Sequence, residues 1–127
     1  MAKTVLAALA LVVLSLLPAA RARQAAAPRT MRLDFYHTGT ATEEVFSLDR
    51  AVVEPLPWPG NPRHAVDDSN LGKYFFEVRD AQSGRVLYSR GFASIYGEWE
   101  TTDEAKTVRR TFEESLRFPA PGAPVQI

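Results

Sequence analysis

The side chains whose types could do chemistry are two histidines, two carboxylate pairs and three large aromatics. Zinc hydrolysis needs histidine ligands at helical spacing, as in H-E-x-x-H. His37 and His64 are the chain's only histidines and lie far apart, each in turn-like surroundings. They read as surface or hydrogen-bonded side chains, and no metal or other cofactor is expected. A serine nucleophile elbow requires G-x-S-x-G on a strand–turn–helix. Gly91-Phe92-Ala93-Ser94-Ile95-Tyr96-Gly97 has the wrong spacing. Asp67-Asp68-Ser69-Asn70-Leu71-Gly72 has the glycine of an EF-hand loop. It sets Leu71 and Val78 where oxygen ligands belong, so an Asx-type turn entering the next strand fits better.

Glu98 and Glu100 flank Trp99. In an extended segment both carboxylates share one face, too close together to flank a glycosidic bond from opposite sides. A solvated or arginine-paired face is the expectation. Trp58, Tyr96 and Trp99 would stack on a sugar or a peptide if exposed together, and would be core or an interdomain contact if not. No catalytic residue is assigned. Trp58, Tyr96, Glu98, Trp99 and Glu100 are carried forward as a candidate domain-contact or binding surface.

The elements that must position these residues come from a chain of 127 residues with no cysteine and 15 acidic against 15 basic side chains. Met1-Ala2-Lys3 followed by apolar Thr4 to Leu17, then Pro18 and Ala20-Arg21-Ala22, has the layout of a secretory signal peptide. The apolar run reaches only ~21 Å as a helix, short of the ~30 Å hydrocarbon core. Residues 1–22 are therefore expected to be cleaved, although Ala25-Ala26-Ala27 also fits a cleavage site, and the chain to be exported to the periplasm or beyond. The remainder is near neutral, with no electrostatic reason to bind nucleic acid or an anionic membrane. One domain is all this length supports, and its stability must come from packing without disulfides.

Residues 23–30 read as a disordered leader. Met31, Leu33 and Phe35 alternate with Arg32, Asp34 and Tyr36, the period of a half-buried strand. Glu43 to Pro55 alternates with a break at Asp49-Arg50, which suggests two short strands around a bend, and Pro55 and Pro57 place its end at a sheet edge. Leu56 to Asn70 is a proline-rich loop. The clearest element is the stretch Leu71 to Trp99, a β-hairpin whose second arm runs on into a compact aromatic segment. Tyr74, Phe76 and Val78 face inward with Val86 and Tyr88, and Asp80 to Gly84 supplies the turn. Thr101 to Lys106 fits a single helical turn. Thr111 to Pro119 alternates again, with Phe112, Leu116 and Phe118 on one face and Glu114 the odd member, and Val125 and Ile127 start a further apolar alternation. Six or seven short strands with little helix predict an all-β fold, an antiparallel β-sandwich over residues 31–127.

Several of these stretches belong together. EEVFSLDRAVVEPLPWPG (Glu43 to Gly60), DDSNLGKYFFEVRD (Asp67 to Asp80), LYSRGFASIYGEWETTDEA (Leu87 to Ala105) and TFEESLRFPAPGAPVQI (Thr111 to Ile127) closely resemble the N-terminal domain of the bacterial IgA-peptidase family of zinc metallopeptidases, metallopeptidase family sixty-four. The resemblance runs from Met31 to Ile127 and implies a β-sandwich ahead of a catalytic domain that carries H-E-x-x-H. That motif is absent from this sequence, so no catalytic residue carries over. The resulting expectation is a non-catalytic accessory domain, present without its catalytic domain as a fragment of something longer, whose partner is that catalytic peptidase domain. The alternative is a free-standing, secreted carbohydrate- or protein-binding β-sandwich module.

Overall fold

The computed structural model describes residues 26–127. The expected signal peptide lies outside them. Six strands form two antiparallel three-stranded sheets. The first has the order β2-β1-β5, from Arg29–Gly39 (β1), Glu44–Pro57 (β2) and Arg110–Pro119 (β5); the second has the order β4-β3-β6, from Tyr74–Asp80 (β3), Val86–Phe92 (β4) and Val125–Gln126 (β6). A short helix, Ile95–Trp99 (α1), follows β4, and two 3-10 turns, Pro62–His64 and Glu104–Lys106, complete the elements among the described residues. This is the all-β sandwich that the strand pattern predicts.

β1 is the middle of its sheet, and its alternation shows why. Phe35, His37 and Gly39 are buried while Tyr36 is exposed, so the inward parity set by Met31, Leu33 and Phe35 runs on through His37. The strand starts at Arg29, which corrects the expected leader: Thr30 is buried and Trp58 donates its amide to Pro28 O at 2.7 Å.

The expectation of two short strands around Asp49-Arg50 is also corrected. β2 is one strand of 14 residues. Asp34 faces Arg50 and Phe35 faces Leu48, so Asp49 is an extra residue, a β-bulge. The bulge switches the inward parity from Ala51 and Val53 to Leu48 and Phe46. A parity switch breaks an alternation in the same way a bend would.

The β3–β4 hairpin matches expectation. Asp80 Oδ1 accepts from the amides of Gln82 at 3.1 Å and Ser83 at 2.7 Å, and Gly84 takes φ +72°. The two sheets close on Phe76, Val78, Tyr88 and Phe118, with Met31, Leu33 and Leu116 packed around them. Removing Phe118 from water contributes about 1.5–3 kcal/mol. A second, separate cluster of Tyr96, Trp99 and Ala105, backed by Phe112, lies under α1.

Candidate functional site

The second cluster is built around a histidine. His37 is completely buried. Its ring stacks on Tyr96 on one side, with centroids 4.0 Å apart, and on Phe46 on the other, at 4.2 Å. Nε2 lies 2.6 Å from Glu44 Oε1, and Nδ1 lies 3.4 Å from Glu114 Oε2. Glu114 is on the inward face of β5, and its other oxygen accepts the Tyr96 amide at 3.2 Å. The odd member of an apolar face is thus the carboxylate that ties β1 to α1.

The Tyr96 hydroxyl completes the tie. It lies 2.8 Å from Thr40 O and 2.7 Å from Glu43 O, in the β1–β2 turn that the Thr40 amide closes by donating to Glu43 O at 2.9 Å. Gly39 is required for this approach, because a Cβ there would sit 1.9 Å from Glu43 O and 2.3 Å from the Tyr96 hydroxyl. Burial opposes the charge of Glu44, but the neighbouring Tyr74 hydroxyl and His37 outweigh it and hold its pKa below the ordinary value. Burial, with the Glu44 carboxylate adding to it, pushes the Tyr74 hydroxyl well above its own.

A histidine between two carboxylates has the ingredients of an oriented general base. Here both ring nitrogens face carboxylates, and the ring itself has no exposed surface. The arrangement leaves neither nitrogen free to take a proton from a nucleophile. What it does is hold the segment from Ser94 to Trp99 against the β1–β2 turn.

That segment is helical, which corrects the extended reading of Glu98 and Glu100. Ser94 caps α1, with its side chain accepting the Gly97 amide at 2.8 Å. Glu98 therefore points to solvent, while Glu100 pairs with Lys73. Trp99 is buried and donates Nε1–H to Glu104 Oε2 at 2.7 Å; this bond, with Arg110 alongside, holds the Glu104 carboxyl below its ordinary pKa.

The five residues carried forward from the sequence are therefore split. Tyr96 and Trp99 are core, Glu98 is exposed, and Glu100 is half-buried. Trp58 belongs to the other cluster, its ring edge-on to Tyr88 at 5.6 Å. The three aromatic rings do not form one stacking platform. Ile95, on the outer side of α1, is 63 % exposed.

His64 ends an exposed 3-10 turn. Beyond it, Asp67 makes the expected Asx-type turn: Oδ1 accepts the Ser69 amide at 2.8 Å and the Ser69 hydroxyl, and Oδ2 accepts the Gly91 amide at 2.8 Å. The Gly91 amide, then Ser69, holds the Asp67 carboxyl at a pKa of about 2. Among the described residues no group of three or more His, Cys, Asp or Glu side chains could hold a metal ion.

Glu44 and Glu114 were not singled out by residue type. Glu114 carried a signal, its inward parity in β5; Glu44 carried none, because the β2 bulge decides which way it points.

No curated protein matches the chain. A family model described as Peptidase M64 N-terminus matches residues 23–127, in agreement with the resemblance carried by GFASIYGEWET. Those matched residues hold both sheets, α1 and the buried His37 junction, and the chain belongs to the family of M64 peptidase N-terminal domains.

Proposed function

We propose that this chain is the non-catalytic front domain of an exported zinc metallopeptidase, and that it acts by packing against the catalytic domain and orienting it. The observation that carries the reading is the family match over 23–127, a span named for its place at the N-terminus of a peptidase. Export rests on the apolar, Ala-terminated first 22 residues.

The contact face centres on the outer side of α1. Ile95 and Glu98 present an apolar and a charged group there, and the Lys73–Glu100 pair lies beside them. Tyr96 and Trp99 serve this face from below by fixing the backbone of α1, and Trp58 braces the far cluster. A rigid, short, capped helix is a suitable docking element because little is lost in ordering it.

Two measurements test the reading. The chain without residues 1–22 is incubated with casein or immunoglobulin and zinc; no cleavage is the expected result, and chelator-sensitive cleavage would overturn the non-catalytic role. The same protein is titrated with a catalytic domain of the family. Saturable binding, weakened at least about tenfold by Ile95→Asp with Glu98→Arg, supports docking through α1. Binding unaffected by the double change moves the contact elsewhere.

A further inference from the structure

The second sheet carries one cation on its core side. Arg90 of β4 stands opposite Phe76, and residues opposite one another share a face of the sheet. Its side chain therefore leaves the sheet on the same face as the core ring of Phe76. Arg90 is nevertheless exposed, because β4 is an edge strand. Among the described residues the other strand cations each hold a carboxylate or a carbonyl, while Arg90 makes no ion pair and no side-chain hydrogen bond. The carboxylate in the loop beside it, Asp67, is already taken by the Ser69 and Gly91 amides. A guanidinium on the core side of a sheet ordinarily has a partner.

Arg90 lines a cleft of 280 Å³ between β4 and β5. The floor is aromatic, with the Phe76 ring centroid 5.8 Å from that of Tyr88 and 6.0 Å from that of Phe92. The opposite wall is Ser115 to Arg117 of β5. The Ala120 amide donates to Arg29 O at 2.7 Å, in continuation of the β1–β5 register. Along an antiparallel pair, every second residue directs its amide at the partner strand. The amides of Ser115 and Arg117 therefore point away from β1, towards the cleft they line. The Arg117 guanidinium is engaged elsewhere, by Glu54 and the Ser115 hydroxyl. The cleft thus joins an apolar floor to one free cation and two backbone donors.

We propose that this cleft binds a small apolar carboxylate, no larger than a single amino-acid residue, with Arg90 as its counter-ion. Size, floor and rim each limit the ligand. Ligand pockets run from ~300 to ~1,000 Å³, and this one stands at the small end. The aromatic floor takes a ring or a branched aliphatic group. A guanidinium takes a carboxylate through two parallel N–H···O bonds, and the Ser115 and Arg117 amides supply further donors at the opposite wall. With one free cation, the site suits a single negative charge and not a phosphate dianion. The same chemistry has two sources, a free arylalkanoic acid and the C-terminal residue of a peptide.

The test follows amide chemical shifts of the 127-residue chain titrated with 3-phenylpropionate and, separately, with N-acetyl-Ala-Phe, whose terminal carboxylate is free. Saturable binding at about 1 mM or tighter is expected, with shifts at Ala93, Ser115 and Arg117. 3-Phenylpropionamide, without the charge, and acetate, without the ring, should each bind at least about tenfold more weakly. Arg90→Ala, at an exposed position, should weaken 3-phenylpropionate about tenfold. Arg85→Ala, in the exposed β3–β4 turn and outside the cleft, should leave binding unchanged. Tighter binding of the peptide assigns the site to peptide C-termini, and equal or tighter binding of the free acid assigns it to small acids. No saturation by either probe, equal binding of acid and amide, or an affinity indifferent to Arg90→Ala overturns the proposal. Arg90 is then a charge that guards the β4 edge against strand pairing.

Discussion

The two buried clusters of this domain are held by different physics. The one between the sheets is Phe76, Val78, Tyr88 and Phe118, side chains that meet through shape and apolar area. The one under α1 is Tyr96, Trp99 and Ala105, and each large ring there also spends a polar atom: Tyr96 on Thr40 and Glu43, Trp99 on Glu104. His37 joins it through two carboxylates. A cluster of the first kind tolerates rearrangement as long as volume is conserved. One of the second kind fixes geometry, because each polar atom has a particular partner and loses free energy without it. The sandwich interior makes the domain fold; the His37 junction decides where α1 stands.

The comparison can be broken at several strengths. Phe118→Ala empties a fully buried site and should cost about 3–5 kcal/mol in chemical denaturation, because the cavity adds to the lost transfer energy. A matched pair of conservative changes separates the clusters more sharply. Tyr96→Phe keeps the ring but takes the hydroxyl donor from Thr40 O, while Glu43 O keeps the Thr40 amide, at about 1–3 kcal/mol. Tyr88→Phe removes a hydroxyl that makes no hydrogen bond to the described residues and should stay within ~0.5 kcal/mol. Equal costs for the two would show that the α1 cluster is packing alone.

Acid acts on the carboxylates that stitch loops to sheets. Asp67 is depressed from 3.8 to about 2. Its contribution is complete above the ordinary pKa and is lost as pH falls from about 4 towards 2. Asp80, held low by Ser83, adds to the same slope. Thermal unfolding followed from pH 5 to pH 2 should therefore fall less steeply in Asp67→Asn than in the parent. The smallest effect belongs to Leu48→Ser, which should leave stability within ~0.5 kcal/mol because most of that side chain already meets water; a loss above ~1.5 kcal/mol would mean that the side chain is buried in solution.

Much of the scaffold was legible from residue type and spacing. The β3–β4 hairpin declares itself through Tyr74, Phe76, Val78 and the Asp80–Gly84 turn, all local features. So does the single helical turn of Glu104–Lys106. The bulge at Asp49 was visible as a break but not as its cause, since a bend and a bulge disrupt an alternation alike. The helix at Ile95–Trp99 was hidden because a capped helix of five residues is too short to show a period.

The sequence alone determined the alternations, the turns, the balance of charge and the family signature in GFASIYGEWET, because each is written in neighbouring residues. Only the tertiary structure decided that His37, Glu44, Tyr96 and Glu114 meet, since they come from four elements whose registers are set by long-range pairing. It also decided that Tyr96 and Trp99 face inward while Phe46 and Leu48 stay open. Burial depends on which strand covers which, and that is set by long-range pairing.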